Sequence, residues 1–155
     1  MKHEDGTLTL AAGSKAVGAK LYWQKWLPDD KPKAIILLVH GYAEHAGRYQ
    51  YFAEHCVGRG YAVFAMDHWG HGKSDGTAGF VPGFSVFRDG VDRLLAQATE
   101  DFSDLPVMLV GHSMGGLISA TYLLTEQAEF AACVLSGPAI KAAEEPSAVL
   151  KAISG

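Results

Sequence analysis

A serine flanked by glycines is the residue whose setting in this sequence most clearly points to chemistry. The segment Gly111-His112-Ser113-Met114-Gly115 fits the pattern G-x-S-x-G, and it joins an apolar run typical of a strand to a run typical of a helix. A serine hydroxyl that projects from such a sharp turn is placed to act as a nucleophile, and the small flanking residues leave room for a strained backbone. We therefore interpret Ser113 as a candidate catalytic nucleophile, with an ordinary glycine-rich turn as the alternative.

A nucleophilic serine also needs hydrogen-bond donors for the negative charge that develops on a substrate oxygen. In a turn of this kind, one donor is the N–H of the residue after the serine, and the other lies in the loop after a neighbouring strand. Here these positions are the backbone N–H groups of Met114 and Tyr42, the latter in the loop His40-Gly41-Tyr42-Ala43-Glu44-His45. The helix after the serine directs the positive end of its dipole to the same place. The sequence thus predicts an oxyanion hole formed by the N–H groups of Tyr42 and Met114.

Other polar residues near these motifs are interpreted as structural. A histidine in a turn such as that of His40 and His45 more often hydrogen-bonds backbone groups than acts as a base. His40, Glu44 and His45 lack a further well-placed ligand and the H-E-x-x-H spacing, so a metal site is not expected. Asp67 opens the glycine-rich segment DHWGHGKSDG and precedes the serine, whereas a triad acid is expected after it. We therefore interpret Asp67 as part of a tight turn beside the site.

The elements that must position these residues follow an alternating order. Short apolar runs bounded by turn residues indicate strands buried on both faces, and the runs between them have helical spacing. This order predicts an α/β fold with a mostly parallel sheet, in which ligands bind at the carboxyl ends of the strands. The N-terminal runs alternate instead, which predicts an antiparallel hairpin at a sheet edge. The predicted strands are 7–10, 20–26, 34–39, 61–66, 107–110 and 132–135, and the predicted helices are 48–57, 85–101 and 114–127.

Length and composition limit the chain to one mildly acidic domain. It has 155 residues, 48% of them hydrophobic, and its 13 Lys and Arg against 17 Asp and Glu give a formal net charge of −4. No cluster of basic residues is present, so nucleic-acid binding is not expected. The two cysteines, Cys56 and Cys133, lie in apolar runs and are interpreted as packing residues. The N-terminus lacks the apolar core of a secretory signal, and the longest apolar run, 34–39, is too short to span a membrane, so a cytoplasmic location is expected.

Four segments, taken in order, resemble the α/β-hydrolase superfamily and, within it, the monoacylglycerol lipase and lysophospholipase group. They are HGYAEHAGRY, DHWGHGKSDG, GFSVFRDGVDRLL and GHSMGGLIS, and the resemblance extends over residues 20–150. It implies a serine hydrolase that cleaves carboxylic esters, with monoacylglycerol as the first choice of substrate, Ser113 as the nucleophile and the N–H groups of Tyr42 and Met114 as the oxyanion hole. No cofactor is implied. A lysophospholipase, a short-chain esterase and a peptidase on the same fold are alternatives. Trp69 departs from the group, which usually has arginine before G-H-G.

The resemblance also implies that the catalytic machinery is incomplete within these residues. Members of the group are about twice as long, and their catalytic Asp and His lie after the point where this sequence ends. Residues 1–155 correspond to the N-terminal part of a single domain, truncated after about the sixth strand, and 141–155 to the start of the cap over the acyl pocket. All seven histidines (residues 3, 40, 45, 55, 68, 71 and 112) precede Ser113, and His112 is expected to face away from it.

The chain alone is therefore expected not to be a competent hydrolase. A serine without a base is a poor nucleophile, so a second polypeptide or a missing segment is expected to supply the triad Asp and His. Another copy of the chain could cover the exposed sheet edge, but it would supply a triad histidine only if His3, His45 or His71 took that role. The last strand is expected to form an unpaired hydrophobic edge. The start of the cap, with a helix after Pro146, leaves contact with a membrane surface open. The alternative from another class is a non-catalytic interaction or scaffold fragment that keeps the serine turn as inherited geometry.

Overall fold

The computed structural model of the protein describes residues 1–141, which form six strands and three α-helices. The strands are β1 (Lys2–Thr9), β2 (Lys20–Leu27), β3 (Ala34–Val39), β4 (Tyr61–Met66), β5 (Val107–His112) and β6 (Ala132–Ser136). The helices are α1 (Gln50–Val57), α2 (Ser85–Asp101) and α3 (Met114–Glu126), with 3-10 turns at Ala46–Tyr49 and Gln127–Glu129. Residues 142–155 of the predicted cap, including the helix after Pro146, lie outside the described residues.

The six strands of residues 1–141 belong to one sheet, in the order β1-β2-β4-β3-β5-β6. β2 is antiparallel to β1 and β4, whereas β3 is parallel to β4 and β5, and β5 is parallel to β6. The carboxyl ends of β3, β4, β5 and β6 therefore lie along one edge of the sheet, where the segments that contain Tyr42, Asp67 and Ser113 begin. The predicted α/β fold, a mostly parallel sheet with an antiparallel N-terminal hairpin, is confirmed.

Apolar side chains cover both faces of the sheet, because its central strands are apolar at every position. All six residues of β3 are buried. Ile35, Leu37 and Val39 belong to the core beneath α2 and α3, whereas Ile36 and Leu38 belong to the core beneath α1. Burial on both faces explains why a run without polar alternation forms a strand here. It also gives the loops at the carboxyl edge a rigid support.

The N-terminal strand is longer than the predicted strand 7–10. β1 begins at Lys2 and pairs residue by residue with β2 as far as Leu27, although most of its side chains are exposed. An exposed edge strand carries little hydrophobic periodicity, so the pattern detects only its inner end. The helix predicted over 48–57 divides into a 3-10 turn followed by α1, and α3 ends one residue before its predicted end.

Burial is wrongly predicted for β6 and for Cys133. The run 132–135 is predicted to be buried on both faces, but four of the five β6 residues, including Cys133, are exposed. In the described part of the chain β6 pairs with β5 alone and forms an edge of the sheet, as predicted for the last strand, and this edge position explains the exposure. Cys56 is half-buried and packs against the core beneath α1, as predicted. None of the helices within residues 1–141 is both long and apolar enough to cross a membrane.

Candidate active site

Ser113 occupies a strained turn between β5 and α3. Its φ of 53° and ψ of −116° lie in a region that residues other than glycine seldom adopt. Ser113 is the residue that precedes the first residue of α3, so its side chain stands at the N-terminal end of that 13-residue helix. The electrostatic potential of a helix N-terminus favours negative charge nearby. The sharp strand-to-helix turn predicted from the G-x-S-x-G pattern is therefore present in the structure.

The glycines around the turn are required by close backbone contacts. A Cβ at Gly115 would overlap the carbonyl oxygen of Val39 and lie 2.5 Å from that of His40, so α3 packs directly against the end of β3. A Cβ at Gly111 would lie 2.5 Å from Ser119 Oγ and 2.6 Å from the Gly115 backbone carbonyl oxygen. These distances are shorter than real Cβ contacts, and backbone atoms cannot yield as a flexible side chain can. The absence of side chains at these positions is what lets β5, α3 and β3 meet at Ser113.

The segment after β6 holds Ser113 from the other side, a contact that the sequence analysis missed. The Ser113 N–H donates to the Ser136 carbonyl (2.9 Å), and the Ala139 N–H donates to the Ser113 carbonyl (3.0 Å). His112 Nδ1 lies 3.3 Å from Ser136 Oγ and makes no hydrogen bond to Ser113, as predicted. The signal available in the sequence was the SGP triplet at 136–138, whose glycine adopts a positive φ of 52°.

The loop after β3 carries Tyr42, the other predicted donor. His40 Nδ1 contacts the Gly41 carbonyl oxygen at 2.8 Å, and none of the peptide bonds of residues 1–141 is cis. In a trans peptide the N–H points opposite to the C=O, so this contact directs the Tyr42 N–H away from the His40 ring. Neither the Tyr42 N–H nor the Met114 N–H has a hydrogen-bond partner within residues 1–141. Two backbone donors are thus left available beside the serine.

The loop and the serine are immediate neighbours. A Cβ at Gly41 would lie 3.2 Å from Ser113 Cβ and 3.4 Å from the His112 carbonyl oxygen. The sheet therefore brings together the three residues predicted to form the site, namely Ser113, Tyr42 and Met114. Beside the loop lies a cleft of about 290 Å³, lined in part by Tyr42 and His71.

His40 is a buried, neutral residue, in agreement with its interpretation as structural. Its Nε2 accepts the His68 backbone N–H (3.0 Å), so the ring proton is on Nδ1, which donates to Gly41. His68 Nε2 in turn donates to the His40 carbonyl (3.1 Å). Burial lowers the pKa of His40 to about 4 and outweighs the opposing hydrogen bond to Gly41. Burial likewise holds the pKa of His68 well below its ordinary value.

Two carboxylates anchor the loops beside the site. Asp67 Oδ1 accepts the Ala46 N–H (2.7 Å), and its Oδ2 accepts the Lys73 N–H (2.8 Å). Its interpretation as part of a tight turn is therefore confirmed. Glu44 Oε2 accepts the Gly41 N–H (2.9 Å), and sequence reasoning had considered Glu44 only as a metal ligand. Its position three residues after a glycine in a tight turn was the available signal.

Among residues 1–141, no acidic or basic side chain is hydrogen-bonded to Ser113. Within residues 1–141 the Ser113 Oγ has no hydrogen-bond partner, and no group of three His, Cys, Asp or Glu side chains is arranged to hold a metal ion. His71 is almost fully buried, and its Nδ1 contacts the Trp69 carbonyl oxygen at 2.9 Å. Trp69, the residue that departs from the hydrolase pattern, has a buried indole nitrogen without a partner in the same part of the chain. The roles of Ser113, Tyr42 and Met114 remain predictions.

The parallel sheet, the loops at its carboxyl edge and the G-x-S-x-G turn define the class: the chain has the α/β-hydrolase fold. Residues 30–155 match the family described as serine aminopeptidase S33, and the chain belongs to that family. The resemblance to monoacylglycerol lipases is confirmed by individual relatives. A monoacylglycerol lipase of Mycolicibacterium smegmatis is 40% identical over 137 residues, which cover 88% of this chain and 49% of the relative.

Two further relatives agree. A monoglyceride lipase of Homo sapiens is 38% identical over 139 residues, which cover 90% of this chain and 46% of the relative. The crystal structure of a monoacylglycerol lipase of Paleococcus ferrophilus superposes with a TM-score of 0.72 at 31% identity, covering 86% of this chain and 49% of that chain. The chain thus spans about half the length of the curated relatives it matches.

Proposed function

We propose that the chain is the N-terminal part of a serine hydrolase that cleaves carboxylic esters, with monoacylglycerol as its substrate. The observation that carries the proposal is the strained Ser113 turn beside two backbone donors, Tyr42 N–H and Met114 N–H, that have no partner within residues 1–141. The substrate class is supported by the relatives, which are named monoacylglycerol and monoglyceride lipases. A lysophospholipase or a short-chain esterase would use the same residues on a different ester.

In the proposed reaction Ser113 Oγ loses its proton to a histidine and forms a bond to the ester carbonyl carbon. The carbonyl oxygen becomes negatively charged and accepts hydrogen bonds from Tyr42 N–H and Met114 N–H. The carbon–oxygen bond to glycerol then breaks, and the glycerol oxygen takes the proton from the histidine. Water hydrolyses the acyl-serine by the same steps, which releases a fatty acid and restores the serine.

The triad Asp and His are proposed to come from outside residues 1–155. No histidine follows Ser113 in the sequence, and none contacts its Oγ in the described part of the chain. The exposed strand β6 offers an edge on which further strands of the sheet can pair. The remaining segment is either a continuation of the same chain or a second polypeptide. We expect residues 1–155 alone to be inactive.

Labelling with a fluorophosphonate tests the nucleophile, because the probe reacts with an activated serine in an intact oxyanion hole. We expect an intact-mass adduct on Ser113 in the complete protein, and no adduct after Ser113→Ala. Ser103→Ala, at an exposed serine remote from the turn, is the matched control and should label normally. If the complete protein is not labelled, the chain is instead a non-catalytic scaffold fragment.

Hydrolysis of monoacylglycerols of several chain lengths tests the substrate class. Removing the nucleophile of a serine hydrolase costs orders of magnitude in kcat, so Ser113→Ala should lower turnover by about a thousandfold or more. Unchanged turnover in this variant would contradict the proposed mechanism. Faster turnover of lysophospholipids or short-chain esters than of monoacylglycerols would keep the mechanism and replace the substrate.

A further inference from the structure

A carboxylate holds the loop that carries Tyr42. Glu44 Oε2 accepts two hydrogen bonds, from the Gly41 backbone N–H (2.9 Å) and from the Tyr49 hydroxyl (2.8 Å). The Glu44 side chain is 20% exposed, and Tyr49 belongs to the 3-10 turn that precedes α1. The carboxylate therefore ties the loop after β3 to a separate element of the fold.

The two peptide groups on either side of Gly41 are each fixed by side chains. The His40–Gly41 peptide is held at its carbonyl by His68 Nε2 and at its N–H by Glu44. The Gly41–Tyr42 peptide is held at its carbonyl by His40 Nδ1, which leaves only the Tyr42 N–H without a partner in residues 1–141. Gly41 joins the two peptides and has no side chain to limit its rotation. Each hydrogen bond therefore restricts a rotation that would turn the Tyr42 N–H.

We propose that Glu44 is a positioning residue of the oxyanion hole, which orients the Tyr42 N–H by fixing the Gly41 N–H and is itself held by Tyr49. This inference rests on the proposed function, since it assigns a role within the same site. Glu44 does not touch the reacting atoms in this role; it acts through the backbone of Gly41.

Gly41 lies directly between the Glu44 carboxylate and the serine turn. A Cβ on Gly41 would lie 2.9 Å from Glu44 Oε2 and 3.2 Å from Ser113 Cβ, so this residue is enclosed between the carboxylate and the serine turn. A shift of the carboxylate therefore moves the peptide that packs against the serine. A side chain at this position would displace the Glu44 carboxylate that accepts the Gly41 N–H.

The charge of Glu44 strengthens the bond to the Gly41 N–H. Burial opposes ionisation, but the hydrogen bonds from Tyr49 and Gly41, with smaller electrostatic contributions from the neighbouring His112 and Arg48 side chains, outweigh it and lower the pKa of Glu44. The Arg48 Nε lies 3.9 Å from Glu44 Oε1. A hydrogen bond to an ionised acceptor is stronger than one between neutral groups, so the carboxylate restrains the loop more firmly than an amide can.

A misdirected oxyanion donor affects the transition state and leaves ground-state binding nearly unchanged. Removal of one such donor costs about 10²–10³ in kcat, so partial misalignment should cost about 10-fold to 100-fold. We expect this loss for Glu44→Ala in the active protein that contains this chain, with KM within about twofold of the original value. Glu44→Gln keeps an acceptor oxygen and should lose less, and Tyr49→Phe should lose least.

Matched controls exist on α1. Glu54→Gln changes an exposed glutamate bonded to Gln50, and Tyr51→Phe changes a tyrosine that is 82% exposed, so both should keep the original kcat. The proposal is overturned if Glu44→Ala leaves kcat unchanged, or if it raises KM without lowering kcat, which would assign Glu44 to substrate binding. Loss of turnover in Ser113→Ala together with normal kcat in Glu44→Ala would reject the positioning role alone. Unchanged turnover in Ser113→Ala would reject the proposed function.

The backbone amide of Gly41 gives a readout that does not depend on turnover. In the ¹H–¹⁵N spectrum of the same active protein, the Gly41 amide proton should move upfield in Glu44→Gln and should be unaffected in Glu54→Gln. Glu44→Gln and Tyr49→Phe serve here if Glu44→Ala fails to fold. An unchanged Gly41 amide in both variants would overturn the proposal.

Discussion

The two proposed oxyanion donors, the N–H groups of Tyr42 and Met114, are held in place by different kinds of contact. The Met114 N–H begins α3, and its position follows from backbone packing, because Gly115 lies directly against the end of β3. The Tyr42 N–H lies in a loop whose peptides are oriented by the side chains of His40 and Glu44. One half of the site is fixed by backbone contacts and the other by hydrogen bonds to titratable groups.

This difference means that the two halves respond to different perturbations. Close packing leaves no room for added atoms but does not depend on pH. Substitutions that add atoms at the serine turn should therefore destabilise it through steric overlap. A hydrogen-bonded loop tolerates small changes of volume but depends on the protonation state of the groups that hold it. Steric substitutions and pH changes therefore test the two halves separately.

The largest effect is expected for Gly115→Ala. The added Cβ would overlap the Val39 carbonyl oxygen, and both backbones would have to separate. Strain of this kind in a packed core costs about 3 kcal/mol or more of unfolding free energy. Gly58→Ala is the control: Gly58 has an ordinary φ of −60°, its Cβ would meet nothing closer than 3.4 Å, and the change should stay below about 1 kcal/mol. Urea denaturation measures the unfolding free energies of both variants. Equal denaturation midpoints for Gly115→Ala and Gly58→Ala would show that the serine turn is not fixed by packing.

The packed half of the site was the more predictable from the sequence. The run 34–39, the run 107–110 and the G-x-S-x-G pattern are local signals, and the sheet places their ends side by side once the strands are parallel. The positions of Ser113 and Met114 follow from these elements alone. Their chemical roles stay predictions, as do the triad Asp and His.

The hydrogen-bonded half was less predictable, because its contacts join residues distant in sequence. His40 and His68 are 28 residues apart, and their exchange of hydrogen bonds depends on the pairing of β3 with β4. The contact of Ser136 with Ser113 depends in the same way on β6 lying beside β5. Periodicity indicates where strands are, but it does not identify which side chain fills a given hydrogen bond. The burial of β6 was mispredicted because its apolar run alone indicates a strand covered on both faces, although the edge position of this last strand was itself predicted.

A pH effect of intermediate size is expected from His40. Its pKa is about 4 in the folded protein, against an ordinary value of 6.5, so the unfolded chain takes up the proton first as the pH falls. Above pH 6.5 this effect does not reduce stability. As the pH falls from 6.5 toward 4, the unfolding free energy decreases by about 3 kcal/mol, because the unfolded chain binds a proton at His40 that the folded protein does not. Buried His68 acts in the same direction.

The pH dependence assigned to His40 is tested by measuring the unfolding free energy above pH 6.5 and at pH values between 6.5 and 4. His40→Asn should remove a large part of the pH dependence, whereas His55→Asn, at an exposed position on α1, should leave the buried-histidine contribution unchanged. Gly115→Ala should lower stability by a similar amount at every pH, since it changes no titratable group. Equal pH dependence in His40→Asn and the original chain would contradict the role assigned to His40.

The smallest effect is expected for Asp67→Asn, at the base of the hydrogen-bonded half. One carboxylate oxygen of Asp67 accepts the Ala46 N–H and the other accepts the Lys73 N–H, so an amide must turn its NH₂ group toward one of these donors. An unsatisfied buried donor costs about 1–3 kcal/mol. Asp30→Asn, at an exposed position after β2, is the matched control and should stay within about 0.5 kcal/mol. If both variants unfold at the same urea concentration, packing alone suffices to hold the loop after β4, and the dependence on titratable groups is confined to His40, His68 and Glu44.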